Sequence, residues 1–213
     1  VHAGIEEAAD DAGVDVLHCT MRDNNVLPHL VTDGNVDGMI LLTTSSDAAF
    51  VQLLRNLPIP LVSLGIETGL KETYEILPDD AVGIESAVRR LVELGHRRIA
   101  YVGLPAAGGS TDRRQAAFQR SLAEAGVPID QQLHPEGLWN MDPSAVADPV
   151  AALLAKHPDI TAMVCYNDQF ARGVVQAAQQ RGLSVPNQLS IIGFDDTASA
   201  AGGGLVPASL AYD

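Results

Sequence analysis

The chain is short of cysteine, of positive charge and of long apolar runs, and each shortage removes a class of function. Only two cysteines occur among the 213 residues, Cys19 and Cys165, far apart and each in an apolar, strand-like run. With no Cys-x-x-Cys pair and no Cys/His cluster, both read as buried free thiols, a usage that suits a reducing cytoplasm. The six histidines are scattered without ligand spacing, so no metal is expected. Thirteen basic residues against 27 acidic ones leave a net charge of −14. A surface that acidic repels a nucleic-acid backbone, so these residues are not expected to hold DNA themselves. No apolar stretch approaches the roughly 20 residues of a membrane span, and no signal-peptide pattern opens the chain.

What remains is a well-furnished globular composition. Hydrophobic residues make up 46% and charged residues 19%, which is not the balance of a disordered chain. At about 150 residues per domain, the length allows one large domain or two small ones. A core can form without disulfides or metal.

Short apolar strands alternate with amphipathic helices, the pattern of βα units and parallel sheets. The clearest helix spans 80–94, where Ile84, Ala87, Val88, Leu91 and Val92 form one stripe. Asp79 or Asp80 can cap its start, and Gly95 suits its end. A strand at 99–102 follows, stopping at Gly103. Further on the pattern predicts a helix from Arg113 to Gly126, and one from Asp142-Pro143 through Leu154. A strand at 160–166, a helix from Asn167-Asp168 to Gly182 and a strand at 189–194 complete this half. The first part predicts helices at 1–12 and 47–56, strands at 14–20, 36–42 and 60–64, and a linker at 66–77 joining two lobes. The opening helix lacks the strand it should follow. Gly202-Gly203-Gly204 and residues 205–212 lack a closing helix. The chain is therefore expected to be a fragment of a longer one.

In open parallel sheets, ligands bind at the carboxyl ends of strands. Three such ends carry polar groups: Ser110 and Arg114 beyond the strand at 99–102, Asn167-Asp168 after 160–166, and Asp195-Asp196 after 189–194. If these strands are neighbours, the groups line one edge. An arginine, an amide and a carboxylate together suit a polyhydroxyl ligand, with Arg114 and Asp195 facing one another across it. Trp139, the single tryptophan, could stack on a sugar ring from the loop before the Asp142 helix. Each residue also has a plainer reading: Asn167 or Asp168 as a helix cap, Asp195 as a turn residue, Arg114 as a solvated helix residue, Trp139 as packing.

Other motifs carry less. Gly103, Gly108, Gly109 and Ser110 approach a phosphate-binding loop, but Gly109 stands where that motif needs lysine. His96-Arg97-Arg98 is a small basic cluster favourable at a helix end. No nucleophile elbow and no His-Glu-x-x-His is present. Adjacent aspartates such as Asp195 and Asp196 usually point apart, so no catalytic constellation is expected.

Several segments together resemble the lactose/galactose repressor family of bacterial transcription regulators. Leu94-Gly95-His96-Arg97-Arg98-Ile99-Ala100 looks like the family's "LGHRRIA" signature. Val185-Pro186 with Leu189-Ser190-Ile191-Ile192-Gly193-Phe194-Asp195-Asp196 is similar to its "VPxDLSVVGFDD" segment, and Tyr166-Asn167-Asp168 with Ala171 and Gly173 to its "ANDxxAxG". Val36-Asp37-Gly38 and Gly4-Ile5-Glu6-Glu7-Ala8-Ala9 also fit. The likeness runs through nearly the whole chain in order.

The resemblance implies an effector-binding core of α/β class: two Rossmann-like lobes with parallel sheets, of the type I periplasmic-binding-protein kind. It implies an N-terminal lobe at 1–77 without its first strand, a C-terminal lobe at 78–205, and a crossover at 206–213 without its final helix. A small polar effector, a sugar above all, would bind between the lobes with Ser110, Arg114, Trp139, Asn167 and Asp195 as contacts. The core would form a homodimer in the cytoplasm, with no cofactor, no metal and no membrane. Operator DNA would be met only through an N-terminal helix-turn-helix domain outside this sequence. The sequence departs from the family pattern at Ala117, where glycine is usual, and at Gly65, where some members place a carboxylate; Glu67 lies two residues on. The stretch from 20 to 35 is short. The alternative is a solute-binding protein of a transport system. An enzyme is not expected.

Overall fold

The computed structural model describes residues 1–21, 26–43, 48–105, 109–130, 134, 135, 138 and 142–197. Within them two parallel three-stranded sheets form in succession. The first contains β1 (Met39–Leu42), β2 (Leu61–Leu64) and β3 (Thr73–Ile76), in that order. Before and between them lie α1 (His2–Ala12), α2 (His29–Thr32) and α3 (Ala48–Leu54). The second sheet contains β4 (Ile99–Val102), β5 (Ala162–Cys165) and β6 (Ser190–Ile192), again in sequence order. Its helices are α4 (Asp80–Glu93), α5 (Ser110–Glu124), α6 (Pro143–Lys156) and α7 (Asp168–Gln180).

The second sheet has the composition of a parallel sheet covered on both faces. Every residue of β4 and β5 is buried, and so their sequences read as continuous apolar runs rather than alternations. Helix α4 buries the Ile84, Ala87, Val88 and Leu91 stripe, with the Asp79 carboxylate accepting from the Val82 amide at 3.2 Å to cap its start. Helices α6 and α7 approach closely at Gly173. A Cβ there would sit 2.7 Å from the Pro143 carbonyl oxygen, a backbone atom that cannot swing aside. The strands β4, β5 and β6 are neighbours, so their carboxyl ends lie along one edge.

Three expectations need correction. Residues 14–20 form no strand: Val14 and Leu17 are exposed, and β1, the sheet's edge, has no ladder partner on that side among the described residues. A strand pattern becomes a strand only when a neighbour accepts its hydrogen bonds. Cys19 is accordingly exposed, not buried. Cys165, in β5, is buried as expected, and burial pushes its thiol pKa up. The supposed linker contains a strand, since β3 pairs with β2 from Leu61↔Thr73 to Leu64↔Ile76. The few apolar residues of 66–77 concealed it, because the β3 residues stay half-buried or exposed at the sheet edge. No described helix is long and apolar enough to cross a membrane.

Candidate functional site

Arg114 is the organising side chain of the strand-end edge. It lies in the first turns of α5, yet it is only 3% exposed, which removes the solvated-helix reading. Its Nε donates to Asp80 Oδ1 at 2.6 Å, and its Nη1 donates to the Tyr166 carbonyl oxygen at 2.6 Å. Nη2 and Nη1 reach Asp195 Oδ1 at 3.4 and 3.5 Å. The guanidinium carbon lies 3.8 Å from the Phe194 ring centroid and 4.7 Å from that of Tyr166. A planar cation held between rings and carboxylates cannot choose another rotamer without losing several contacts.

The contact with Asp195 corrects one expectation. The two side chains touch here rather than facing one another across a gap, because Arg114 is anchored from below by Asp80 and Tyr166.

Asp195 occupies an unusual backbone position. Its φ is 93° and that of Asp196 is 44°, both in the region that favours glycine. The turn is therefore strained, and surrounding contacts must hold it. Asp168, 1% exposed at the start of α7, does so: its Oδ2 accepts from the Thr197 amide at 2.7 Å and the Thr197 hydroxyl at 3.1 Å. The Asp168 amide donates to the Phe194 carbonyl at 2.9 Å. Gly193 makes room for this clasp, since a Cβ there would collide with Asp168 Oδ1.

Asn167 is buried and caps α7, its Oδ1 accepting from the Phe170 amide at 3.0 Å. Asn167 does cap α7, and the cap fixes it at the end of β5. Ser110 lies within hydrogen-bond distance of the Tyr166 hydroxyl, Oγ to Oη 2.8 Å. Ser110, Arg114, Asn167 and Asp195 are therefore gathered at one edge, with Tyr166 touching both Ser110 and Arg114. Trp139 lies outside the described residues, as does Gly108 of the glycine loop.

Sequence reasoning missed three participants. Asp80 is a possible cap from the sequence, but Asp79 takes that role and Asp80 turns inward, its side chain 1% exposed, to bind both Arg113 and Arg114. The pairing of two adjacent acids with two adjacent arginines was the available signal. Tyr166 and Phe194 belong to strand runs and to the motifs that carry the resemblance, but no site role is expected of them from the sequence. A cleft of about 1640 Å³ lies elsewhere, between α1, residues 14–21 and the first sheet. Mostly apolar side chains line it, together with His2, Asp15, His18, Asn35 and Asp37.

Comparison with known proteins places this arrangement. A family described as a periplasmic binding protein-like domain matches residues 88–210, more than half of the chain. The probable HTH-type transcriptional repressor ExuR of Bacillus subtilis is 32% identical over 78% of this chain and 50% of its own length. A sugar-binding LacI-family transcriptional regulator from Escherichia coli, solved in complex with phosphate, shares 26% identity. It superposes with a TM-score of 0.72 over 85% of this chain and 65% of its own. The transcriptional regulator CelR in complex with cellobiose shares 25% identity, with a TM-score of 0.82 over 97% of this chain and 64% of its own. The chain belongs to the periplasmic-binding-protein-like family and, within it, to the lactose/galactose repressor group of transcription regulators. The chain spans about half the length of the curated relatives it matches, which are transcription regulators rather than enzymes.

Proposed function

We propose that this chain is the ligand-sensing region of a cytoplasmic transcription regulator and that it performs no catalysis. A small polar effector, a sugar, binds between the lobes 1–77 and 78–205 at Ser110, Arg114, Asn167 and Asp195, with Trp139 stacking on the ring. Binding shifts the relative orientation of the lobes, and in a homodimer that shift resets the spacing of two DNA-binding heads. The DNA contact is made by a helix-turn-helix domain outside this sequence, which is consistent with the acidic charge of −14.

The observation that carries this reading is the strained Asp195 turn held beside a fully anchored arginine at three adjacent strand ends. The turn, held by the buried Asp168, presents the Asp195 carboxylate beside the Arg114 donors. The cellobiose-bound and sugar-binding structural neighbours support a sugar as the ligand class.

A thermal-shift screen over sugars, sugar phosphates, sugar acids and purines tests the reading, since a ligand that binds the folded form raises its melting temperature by mass action. At least one sugar is expected to raise it. A flat response to every compound removes the sensor reading. Light scattering tests the dimer, which a strict monomer at micromolar concentration would exclude.

A further inference from the structure

Beside Arg114 stands a second arginine that the proposed sugar contacts leave unused. Arg113 Nε donates to Asp80 Oδ2 at 2.9 Å, so the single buried Asp80 carboxylate holds both guanidinium groups, one on each oxygen. Arg113 Nη1 reaches Glu67 Oε1 at 3.5 Å, the limit of a hydrogen bond. Its Nη2 is buried and has no partner among the described residues. Glu67 follows β2 in the first sheet and Arg113 opens α5 in the second, so this cation bridges the carboxyl-end edges of both sheets.

Building on the sensor reading above, we propose that Arg113 is a specificity-determining contact that selects an effector bearing an oxyanion: a sugar acid or a sugar phosphate rather than a neutral sugar. A buried guanidinium nitrogen without an acceptor carries the desolvation penalty of an unmade hydrogen bond, which a ligand oxygen removes. The planar fork matches the geometry of carboxylate and phosphate, where two parallel bonds can form. Charge balance points the same way. Arg113 and Arg114 face three carboxylates, Asp80, Asp195 and Glu67. Asp80 is buried and holds both arginines, and Asp195 is half-buried beside Arg114, whereas the Glu67 side chain is 60% exposed and reaches Arg113 only at 3.5 Å. An exposed pair of this kind contributes little, so Glu67 can leave for solvent at low cost. A ligand carboxylate then takes the place of Glu67 with the local charge unchanged, and a phosphate ester adds up to about one further negative charge.

The test compares neutral sugars with their charged counterparts on the same protein. Calorimetric titration is run with glucose, galactose and cellobiose, with glucuronate, galacturonate and gluconate, with the phosphate monoesters of glucose and fructose, and with inorganic phosphate alone. At least one sugar acid or phosphate ester is expected to bind about tenfold or more tightly than its neutral parent, the worth of a charge-assisted contact. The acid and ester arms distinguish carboxylate from phosphate. Arg113→Gln is expected to abolish the preference while retaining affinity for the neutral parent. Glu67→Gln, at an exposed position, is expected to tighten the charged ligand several-fold and leave the neutral one unchanged. Arg113→Lys, which keeps the charge but loses the fork, covers the case in which Arg113→Gln does not fold, and is expected to reduce the preference. Neutral sugars binding as tightly as their acids and esters would overturn the proposal and leave the sensor reading standing. So would an Arg113→Gln or Glu67→Gln effect that is equal for neutral and charged ligands. A failure of every probe to bind would overturn both.

Discussion

The two sheets have the same strand count and the same parallel order, yet they differ in how completely they are covered. In the second sheet β4 and β5 are buried residue for residue. In the first, β3 leaves Tyr74 and Ile76 exposed, and β1 leaves Ile40 and Leu42 exposed on one face. Its core cluster is small, built from Leu41, Phe50, Leu54, Leu61 and Ile66, while α1 buries none of its residues. The contrast shows that an apolar βα pattern gives each strand its inclination, while burial depends on what lies against it. The candidate site follows this division. Its rigid anchors all belong to the well-covered half, and the first sheet contributes only Glu67, at an exposed loop.

The sharpest way to break the comparison is to cut the same side chain from each core. Phe170→Ala, at a fully buried position in α7, is expected to cost about 3–5 kcal/mol and to lower hydrogen-exchange protection throughout β4, β5 and β6. Phe50→Ala in α3 removes an equally buried ring from the smaller cluster. It is expected to unprotect β1 and β2 while leaving the second sheet's exchange unchanged. Equal loss of protection in both sheets after Phe50→Ala would mean that the halves unfold as one unit and that the contrast has no energetic content.

Comparable in size is the Arg114 anchor within the better-covered half. Arg114→Ala leaves the Asp80 carboxylate, 1% exposed, with Arg113 as its remaining cation, and breaking a buried pair in this way costs about 3–5 kcal/mol. Chemical denaturation should show this as a lowered midpoint together with weakened effector binding. Asp195→Ala should weaken binding by about tenfold or more with little change in the midpoint, because Asp195 is part-exposed and only loosely paired to Arg114. A large stability loss from Asp195→Ala would identify that aspartate as a structural group.

The second half was the more legible one, for a physical reason. Where β4 and β5 are buried on both faces and the helices carry apolar stripes, local pattern and global packing agree. The helix at 80–94 and the strands around Ile99, Met163 and Ile191 could be read directly. Residues 14–20 carried a strand pattern, but strand formation needs a partner ladder that no sequence window contains. β3 failed in the opposite direction: Thr73–Ile76 is a short run in a segment with few apolar residues, its Tyr74 and Ile76 are exposed, and its backbone pairing with β2 makes it a strand. In the site, the gathering of Ser110, Arg114, Asn167 and Asp195 followed from strand ends being adjacent. The inward turn of Asp80 did not, since a helix start offers capping and burial to neighbouring residues alike.

A moderate effect belongs to the close approach of α6 and α7. Gly173→Ala forces a Cβ toward the Pro143 carbonyl oxygen and Val146, and overpacking of this kind costs about 1–3 kcal/mol. The loss should appear in thermal unfolding of the second sheet's half. Tolerance of alanine with no drop in melting temperature would show that α6 can shift, and that the better-covered half is less tightly packed than its burial indicates.

The smallest predicted effect separates the halves by pH. In the second, His96 joins the end of α4 to Thr161, Nδ1 to Oγ1 2.8 Å, and partial burial lowers its pKa below the ordinary 6.5. Burial therefore favours the neutral ring, and the unfolded chain takes up its proton first as pH falls. The resulting contribution is complete above pH 6.5 and is lost as pH drops through the lowered folded value. In the first half, Glu75 accepts from the Thr68 hydroxyl at 2.6 Å and from the amides of Thr68 and Gly69, and the Thr68 hydroxyl bond leads in lowering its pKa below 4.5. Its contribution is complete above pH 4.5 and fades below it. Exchange protection measured against pH should accordingly begin to soften in β4–β6 at a higher pH than Glu75 affects β2 and β3. His96→Gln should remove the upper step and leave the lower one, and Glu75→Gln should do the reverse. If His96→Gln leaves the slope between pH 7 and pH 5 unchanged, the ring is not held neutral by burial and that half's acid sensitivity lies in another group.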